Sequence, residues 1–316
     1  MENALNSTMN NGFHLLAFST SGEYSWTIFF GLSLMYLMCV TLNITIIVLV
    51  CLAHQLHTPM YFFLCNLAAQ DIIFVSAVLP KLMAITLTGD PRISFHGCII
   101  QVFTFAVCVD LDFLLLATMG YDRYVAICMP LRYHLIMNTR LCVLLMVTLW
   151  AFCAANGLCF SLLLSHVRFC KSHDLNFFFC DIKIMLGISC GDITPIVKLV
   201  SFEAMFIGFL PFALTVSSYI RITLTMLRIK TSAARLKIFS SCSSHLTVVL
   251  LFCGTSLSLY MKSDSGDSGE QNKLLGLIYV GLVPMVNPVV YSLRNRQIRS
   301  ATKTVYAQFM AKKVLL

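Results

Sequence analysis

WTIFFGLSLMYLMCVTLNITIIVLVCL, residues 26–52, contains no Asp, Glu, Lys or Arg. A helix of about 20 apolar residues crosses the hydrocarbon core of a bilayer, and this run is longer than that. Predominantly apolar runs of that length, with few or no charges, recur over 59–82, 97–127, 141–165, 195–225, 238–261 and 273–294. The seven runs predict an all-α membrane protein, a seven-transmembrane helix bundle. Helices are required because lipid offers backbone polar groups no partner. No segment shows the sustained alternation, over roughly ten residues, of a membrane barrel strand. The third and fifth runs exceed one crossing, so they are expected to tilt or to extend past the bilayer.

Composition agrees. Of 316 residues, 58% are hydrophobic and 11% charged, and the mean hydropathy is +0.83. A soluble domain carries about 25% charged residues. The runs divide the chain into an N-terminal segment (1–25), a transmembrane domain (26–294) and a C-terminal tail (295–316). Residues 1–22 lack the basic start and short apolar core of a cleavable signal peptide.

The net charge of +8 is informative once sorted by loop. Segments 128–140, 221–237 and 294–316 carry many Lys and Arg and no acid, whereas the alternate segments mix both signs. Short basic loops stay in the cytoplasm. The N-terminus is therefore expected outside and the C-terminus inside, with the basic loops against membrane lipid and no role in nucleic-acid binding. An Asn6-Ser7-Thr8 glycosylation sequon lies on the side predicted to be extracellular. So do Cys98, Cys170, Cys180 and Cys190, where disulfides persist. Most other cysteines sit inside the apolar runs and read as small buried hydrophobes.

Ionisable groups inside spans are expensive and usually functional. Asp71 and Asp112 fall in the second and third runs, Asn43 in the first. The two acids could bind a cation such as sodium through oxygen ligands, or form a protonated, hydrogen-bonded pair that only packs helices. In the last run, PMVNPVVYSLRN (284–295), two prolines flank Asn287. Each proline removes a backbone donor and kinks the helix, and Asn287 is expected to bond the freed carbonyls. In MGYDRYVAIC (119–128), the short Asp122 can hold the long Arg123 sideways as a latch, or both can simply snorkel to the interface.

Through such stretches the chain resembles the odorant receptors, a branch of the rhodopsin-like G-protein-coupled receptors. The stretches that carry the resemblance are LHTPMYFFLCNL (56–67), MGYDRYVAIC (119–128), PLRYHLIM (130–137), SYIRI (218–222), KIFSSCSSHLTVV (237–249) and PMVNPVVYSLRN (284–295). They follow one another in the family's order over essentially the whole chain. The resemblance implies that Asp122, Arg123 and Tyr124 govern activation and contact with a heterotrimeric G protein, and that Asn287, Pro288 and Tyr291 form the switch of span seven. It implies bridges Cys98–Cys180 and Cys170–Cys190, and a sodium-type site at Asp71 and Asp112. It implies no cofactor beyond such an ion, no enzymatic activity, and residence in the plasma membrane. Two positions depart from the pattern: Gly120 stands where Ala is usual, and Cys253 replaces a Tyr at the base of the pocket.

Helical spacing puts Phe105, Ala106, Val109, Asp110 and Phe113 on one face of span three, with Asp112 on another. The resemblance makes the Asp110 face the ligand site. Span five adds Glu203, Phe206 and Ile207, and span six adds Cys253, Ser256, Leu257 and Tyr260. The expected pocket is apolar and aromatic with two acids, Asp110 and Glu203. Those acids either favour a ligand with a hydrogen-bond donor or an amine, or are protonated and bond neighbouring helices.

The resulting expectation is a receptor that binds a small, largely apolar odorant and activates a stimulatory G protein, raising cyclic AMP. A chemoreceptor of the same fold for a non-odorant molecule is the alternative. An accessory trafficking protein is a further candidate partner. A transporter would show internal repeats and broken helices, and neither occurs. An enzyme would need a clustered nucleophile or metal set, and there is no HExxH or GxSxG.

Overall fold

The computed structural model describes residues 12–18, 24–170, 173–260, 269–294 and 298–305. Asn6 lies outside them. Seven helices are long and apolar enough to cross a membrane: α1 (Ser25–Leu52), α2 (Pro59–Thr88), α3 (Phe95–Cys128), α4 (Thr139–Ser165), α5 (Thr194–Arg228), α6 (Ser232–Tyr260) and α7 (Gly269–Tyr291). All seven predicted spans are present. The second runs six residues further than its hydropathy indicated, because Pro80 and Lys81 do not end it. Gly89 ends it instead, with φ at 69°, a conformation that costs Gly little and other residues more. At the other end of α2, Pro59 occupies the first turn, where its missing N–H removes nothing. Ser94 and Asn138 cap α3 and α4 by accepting from the N–H groups of Gly97 and Leu141.

The sequence predicts no strands, yet three short ones stand outside the spans. β1 (Phe13–Leu15) lies between β2 (Arg92–Ile93), antiparallel to it, and β3 (Asp174–Leu175), parallel to it. At two or three residues each, they are too short for an alternation to register. The sheet, the bridge Cys98–Cys180 and the bridge Cys170–Cys190 gather at one end of the bundle. The pairings are the two that the resemblance implied.

α3 is the central element and packs on α2, α4, α5 and α6, while α7 closes the bundle against α1, α2 and α6. The core between them is aromatic. Phe105 touches Phe74 and Phe179, with ring centroids 5.5 and 5.1 Å away, and Phe113 meets Phe252 edge-on at 4.7 Å. α4 and α5 instead turn large apolar residues outward, among them Leu144, Val147, Leu210 and Leu214. Such a belt suits lipid and would be an aggregation hazard in water. The tail also joins the bundle: 298–305 is helical and buries Ile298 and Ala301 in the core.

α5 and α7 each contain a widened turn, Ala204–Phe209 and Ile278–Leu282. In them Leu210 N–H reaches back to the Met205 carbonyl, and Val283 N–H to that of Ile278. Each of these donors directly precedes a proline, Pro211 or Pro284. A proline brings no N–H and its ring crowds the carbonyl one turn back. The helix accommodates this by bonding five residues back instead of four.

Candidate functional site

A cavity of about 580 Å³ opens among α3, α5 and α6 near the disulfide end. Phe105, Ala106, Val109, Asp110 and Phe113 of α3 line it, as do Glu203 and Ile207 of α5 and Cys253, Ser256 and Leu257 of α6. The face of α3 drawn from helical spacing is thus one wall. The segment that follows Cys180 supplies the mouth with Asp181, Ile182 and Lys183. The bridge from Cys98 to Cys180 ties that segment to the top of α3.

Phe206 is a correction. It does not line the cavity; it is half exposed on the outer surface and pairs with Phe202, ring centroids 4.6 Å apart. The widened turn is the reason. With more than four residues per turn, Ile207 stays beneath Glu203 while Phe206 swings outward, and Ala204, Gly208 and Phe209 face the cavity instead. Tyr260 ends α6, and its side chain lies outside those described.

The sequence reading also missed Asn156 of α4. Its Nδ2 donates to Asp110 Oδ2 at 2.8 Å and to Glu203 Oε1. One amide therefore joins the two acids of the pocket. The available signal was an amide inside an otherwise apolar span.

Deeper in the bundle, Asp71, Asp112, Asn43 and Asn287 are all buried. Asn287 Nδ2 donates to Asp71 Oδ2 at 3.0 Å. Gln70, next to Asp71, donates through Nε2 to Asp112 Oδ2 and to the Cys108 carbonyl, each at 3.2 Å. Asp112 thus faces α2 while Asp110 faces the cavity. Asn287 does not bond the freed carbonyl, as the sequence led us to expect; Asn43 does, donating to Pro284 O at 3.1 Å. The donor set around the two acids suits a hard, weakly held cation. It offers carboxylates and Gln70 Oε1, a buried oxygen with no hydrogen-bond partner. Among the described residues no group of three or more His, Cys, Asp and Glu could hold a metal ion.

At the far end of α3, Asp122 is fully buried and Arg123 partly so. Asp122 Oδ2 accepts from Arg123 Nη2 at 2.6 Å and from Nε at 3.1 Å. Asp122 Oδ1 accepts from the Tyr133 hydroxyl at 2.9 Å. Tyr133 belongs to the short helix Tyr133–Ile136 between α3 and α4. Its phenol is pushed up from the usual tyrosine range, first by burial and then by the Asp122 charge, so it remains a donor to that carboxylate. Close by, His245 of α6 joins the Leu116 carbonyl of α3 through Nε2 at 3.1 Å and the Tyr219 hydroxyl of α5 through Nδ1 at 2.7 Å. The carbonyl can only accept, so Nε2 carries the hydrogen and Tyr219 donates to Nδ1. Three helices meet at one imidazole. Tyr291 is buried nearby in the core, and Tyr124 packs partly against it.

The arrangement is a pocket at one end of α3 and a charged latch at the other, with a polar middle layer between. The sequence as a whole is similar to those of known proteins. The family model described as olfactory receptor matches residues 32–309. Olfactory receptor 1E16 of Mus musculus is 38% identical over 303 residues, covering 96% of each chain. Olfactory receptor 1G1 of Gorilla gorilla gorilla is 40% identical over 298 residues, covering 94% of this chain and 95% of its own. Olfactory receptor 1F1 of Homo sapiens is 39% identical over 293 residues, covering 93% and 94%. The family comprises multi-pass plasma-membrane signalling receptors rather than enzymes, which bind small odorants and couple to G proteins. This chain belongs to the olfactory receptor family.

Proposed function

We propose that the chain binds a small, largely apolar ligand in the cavity lined by Phe105, Val109, Asp110, Phe113, Glu203, Ile207, Cys253, Ser256 and Leu257, and activates a stimulatory, olfactory-type G protein that raises cyclic AMP. The observation that carries this reading is that α3 alone spans from the cavity wall at Asp110 to the latch at Asp122 and Arg123. A ligand acts by binding one of two arrangements better than the other. In the arrangement described, Arg123 is held by Asp122, and α6 is tied to α3 and α5 through His245. A ligand packed against Cys253 and Leu257 of α6 favours a displacement of that helix. Displacement breaks the His245 bonds and frees Arg123 for the G protein. Asn287, Pro288 and Tyr291 are the elements of α7 that rearrange with it.

The N-terminus, the sequon at Asn6 and the disulfide end face outward in this reading, and the basic loops face the cytoplasm, as the Lys and Arg distribution favours. A sodium ion at Asp71 and Asp112 would stabilise the latched arrangement, because it adds the positive charge that two buried carboxylates lack. The test is cyclic AMP in cells displaying the chain, co-expressed with an accessory trafficking protein where needed, against a panel of apolar odorants. A response that Arg123→Ala abolishes at equal surface level supports the reading. A response that survives it removes the latch from the mechanism.

A further inference from the structure

Asn156 does something unusual for an amide in a membrane span. Its single NH₂ group holds two carboxyl groups, Asp110 from α3 and Glu203 from α5, at the wall of one apolar cavity. Asn156 itself does not line that cavity; it stands behind the acids. Both of its N–H bonds are thereby used, one on each carboxyl group. Among the described residues no Lys, Arg or His forms an ion pair with either acid. At the mouth, Lys183 and Asp181 bring one charge of each sign, so the sign of the cavity is set by the pair in its wall.

Two carboxyl groups gathered on one neutral amide in an apolar wall repel each other when both are ionised. Three kinds of ligand head can be compared. A carboxylate adds a third negative charge. An alcohol brings one donor and no charge. An ammonium head brings three donors and the missing positive charge, and its bonds to carboxylates are of the strong, charge-assisted kind. The remaining lining, with Phe105, Val109, Phe113 and Ile207, takes a hydrocarbon chain. An alkylamine resembles a lysine side chain and keeps its proton up to about pH 10, so it arrives as the cation.

Resting on the receptor reading above, we propose that this pocket selects alkylammonium ligands, with the charged head clamped between Asp110 and Glu203 and Asn156 acting as the positioning residue for both.

The test uses the full chain displayed on cells with a cyclic AMP reporter, and three probes of one chain length: n-heptylamine, n-heptanol and n-heptanoic acid. The expected half-maximal concentration for the amine lies about tenfold to hundredfold below that for the alcohol, the range for hydrogen bonds to charged groups, with the acid inactive. Asp110→Asn and Glu203→Gln together collapse the amine-to-alcohol ratio towards one. Asn156→Leu lowers the same ratio, and Asn156→Gln restores part of it, a selectivity change that loss of folding alone would not produce. An alcohol as potent as the amine overturns the proposal, as does a double variant with an unchanged ratio. Failure of the receptor reading looks different: no probe acts, and Arg123→Ala leaves the ligand-free cyclic AMP level of the displayed chain where it was. A ligand-free level that Arg123→Ala lowers, together with no amine response, overturns the ammonium proposal alone.

Discussion

Asn43 on α1 donates its side-chain amide to the carbonyl of Pro284 on α7, 3.1 Å away. That carbonyl is the one that residue 288 would bond in an unbroken helix, and residue 288 is a proline. The same amide also reaches the Cys39 carbonyl of its own helix at 3.0 Å. α1 thus repairs the defect that Pro288 makes in α7, and the kink is held from outside the helix that contains it.

Asn43→Leu is therefore expected to leave a buried carbonyl unsatisfied. The cost is about 1 to 3 kcal/mol, towards the lower end given that hydrogen bonds between membrane helices average about 0.6 kcal/mol. Restoring the backbone donor with Pro288→Ala should relieve most of that loss. The check is a double-mutant cycle on the melting temperature of purified protein in detergent. Additive effects of the two substitutions would show that the pair is not coupled.

Gly120 and Gly157 make opposite predictions. A Cβ at Gly120 would rest at ordinary contact distance from Thr215 and His245, 3.5 Å at the nearest. Gly120→Ala should stabilise α3 by about 0.5 to 1 kcal/mol through helix propensity. A Cβ at Gly157 would lie 2.8 Å from Val107 Cγ2 and 3.1 Å from the Phe103 carbonyl oxygen. Backbone cannot step aside, so Gly157→Ala should push α4 off α3 and destabilise by about 1 to 3 kcal/mol. Thermal melting of the two variants side by side checks the sign of each.

Tyr133 and His245 tie the latch to its surroundings. Tyr133→Phe deletes a hydrogen bond to a carboxylate, worth about 1.5 to 3 kcal/mol. His245→Phe deletes the links to Leu116 and Tyr219 while keeping a ring against Tyr219. Each is expected to raise ligand-free cyclic AMP at matched surface level, since each weakens the latched arrangement. Unchanged or lower ligand-free signal from both would mean that these bonds serve folding and not the switch.

The two disulfides differ in the chain that they close, with sequence separations of 82 and 20. In the loop-entropy picture this favours the longer bridge by about 1 kcal/mol. Replacing Cys98 and Cys180 by Ser should lower the melting temperature more than replacing Cys170 and Cys190. It should also loosen the cavity mouth, because Asp181, Ile182 and Lys183 follow Cys180 directly. An equal loss of ligand potency in the two double variants would separate the mouth from the bridge.

The spans were legible in the sequence because lipid tolerates so few charges that a long, predominantly apolar run has one reading. The wall of α3 was legible for a similar reason: 3.6-residue spacing placed Phe105, Asp110 and Phe113 together, and the helix is regular there. α5 defeated the same arithmetic at Phe206, because the turn Ala204–Phe209 is not a regular α-turn. The proline that follows was a visible cue, and α7 repeats it before Pro284. Partners contributed by another helix were hidden. Tyr133 and Tyr219 are ordinary in their own segments and acquire meaning only from Asp122 and His245, and Asn156 stands out as an amide in an apolar span without showing that it joins Asp110 to Glu203. Asn287 donates to Asp71 and not to the freed carbonyl, which Asn43 takes, since the sequence shows that a carbonyl is freed and not which helix reaches it.

The central claim is that a ligand in the Asp110–Glu203 cavity governs the latch at the other end of α3. The most direct measurement is the cyclic AMP response to an odorant panel in cells displaying the intact chain, beside Arg123→Ala and beside the pair Asp110→Asn with Glu203→Gln, all at equal surface level. The account predicts a saturable response that Arg123→Ala abolishes and that the paired substitution shifts to higher concentration for every donor-bearing agonist. A full response with unshifted concentrations in the paired variant, or one indifferent to Arg123, would contradict it.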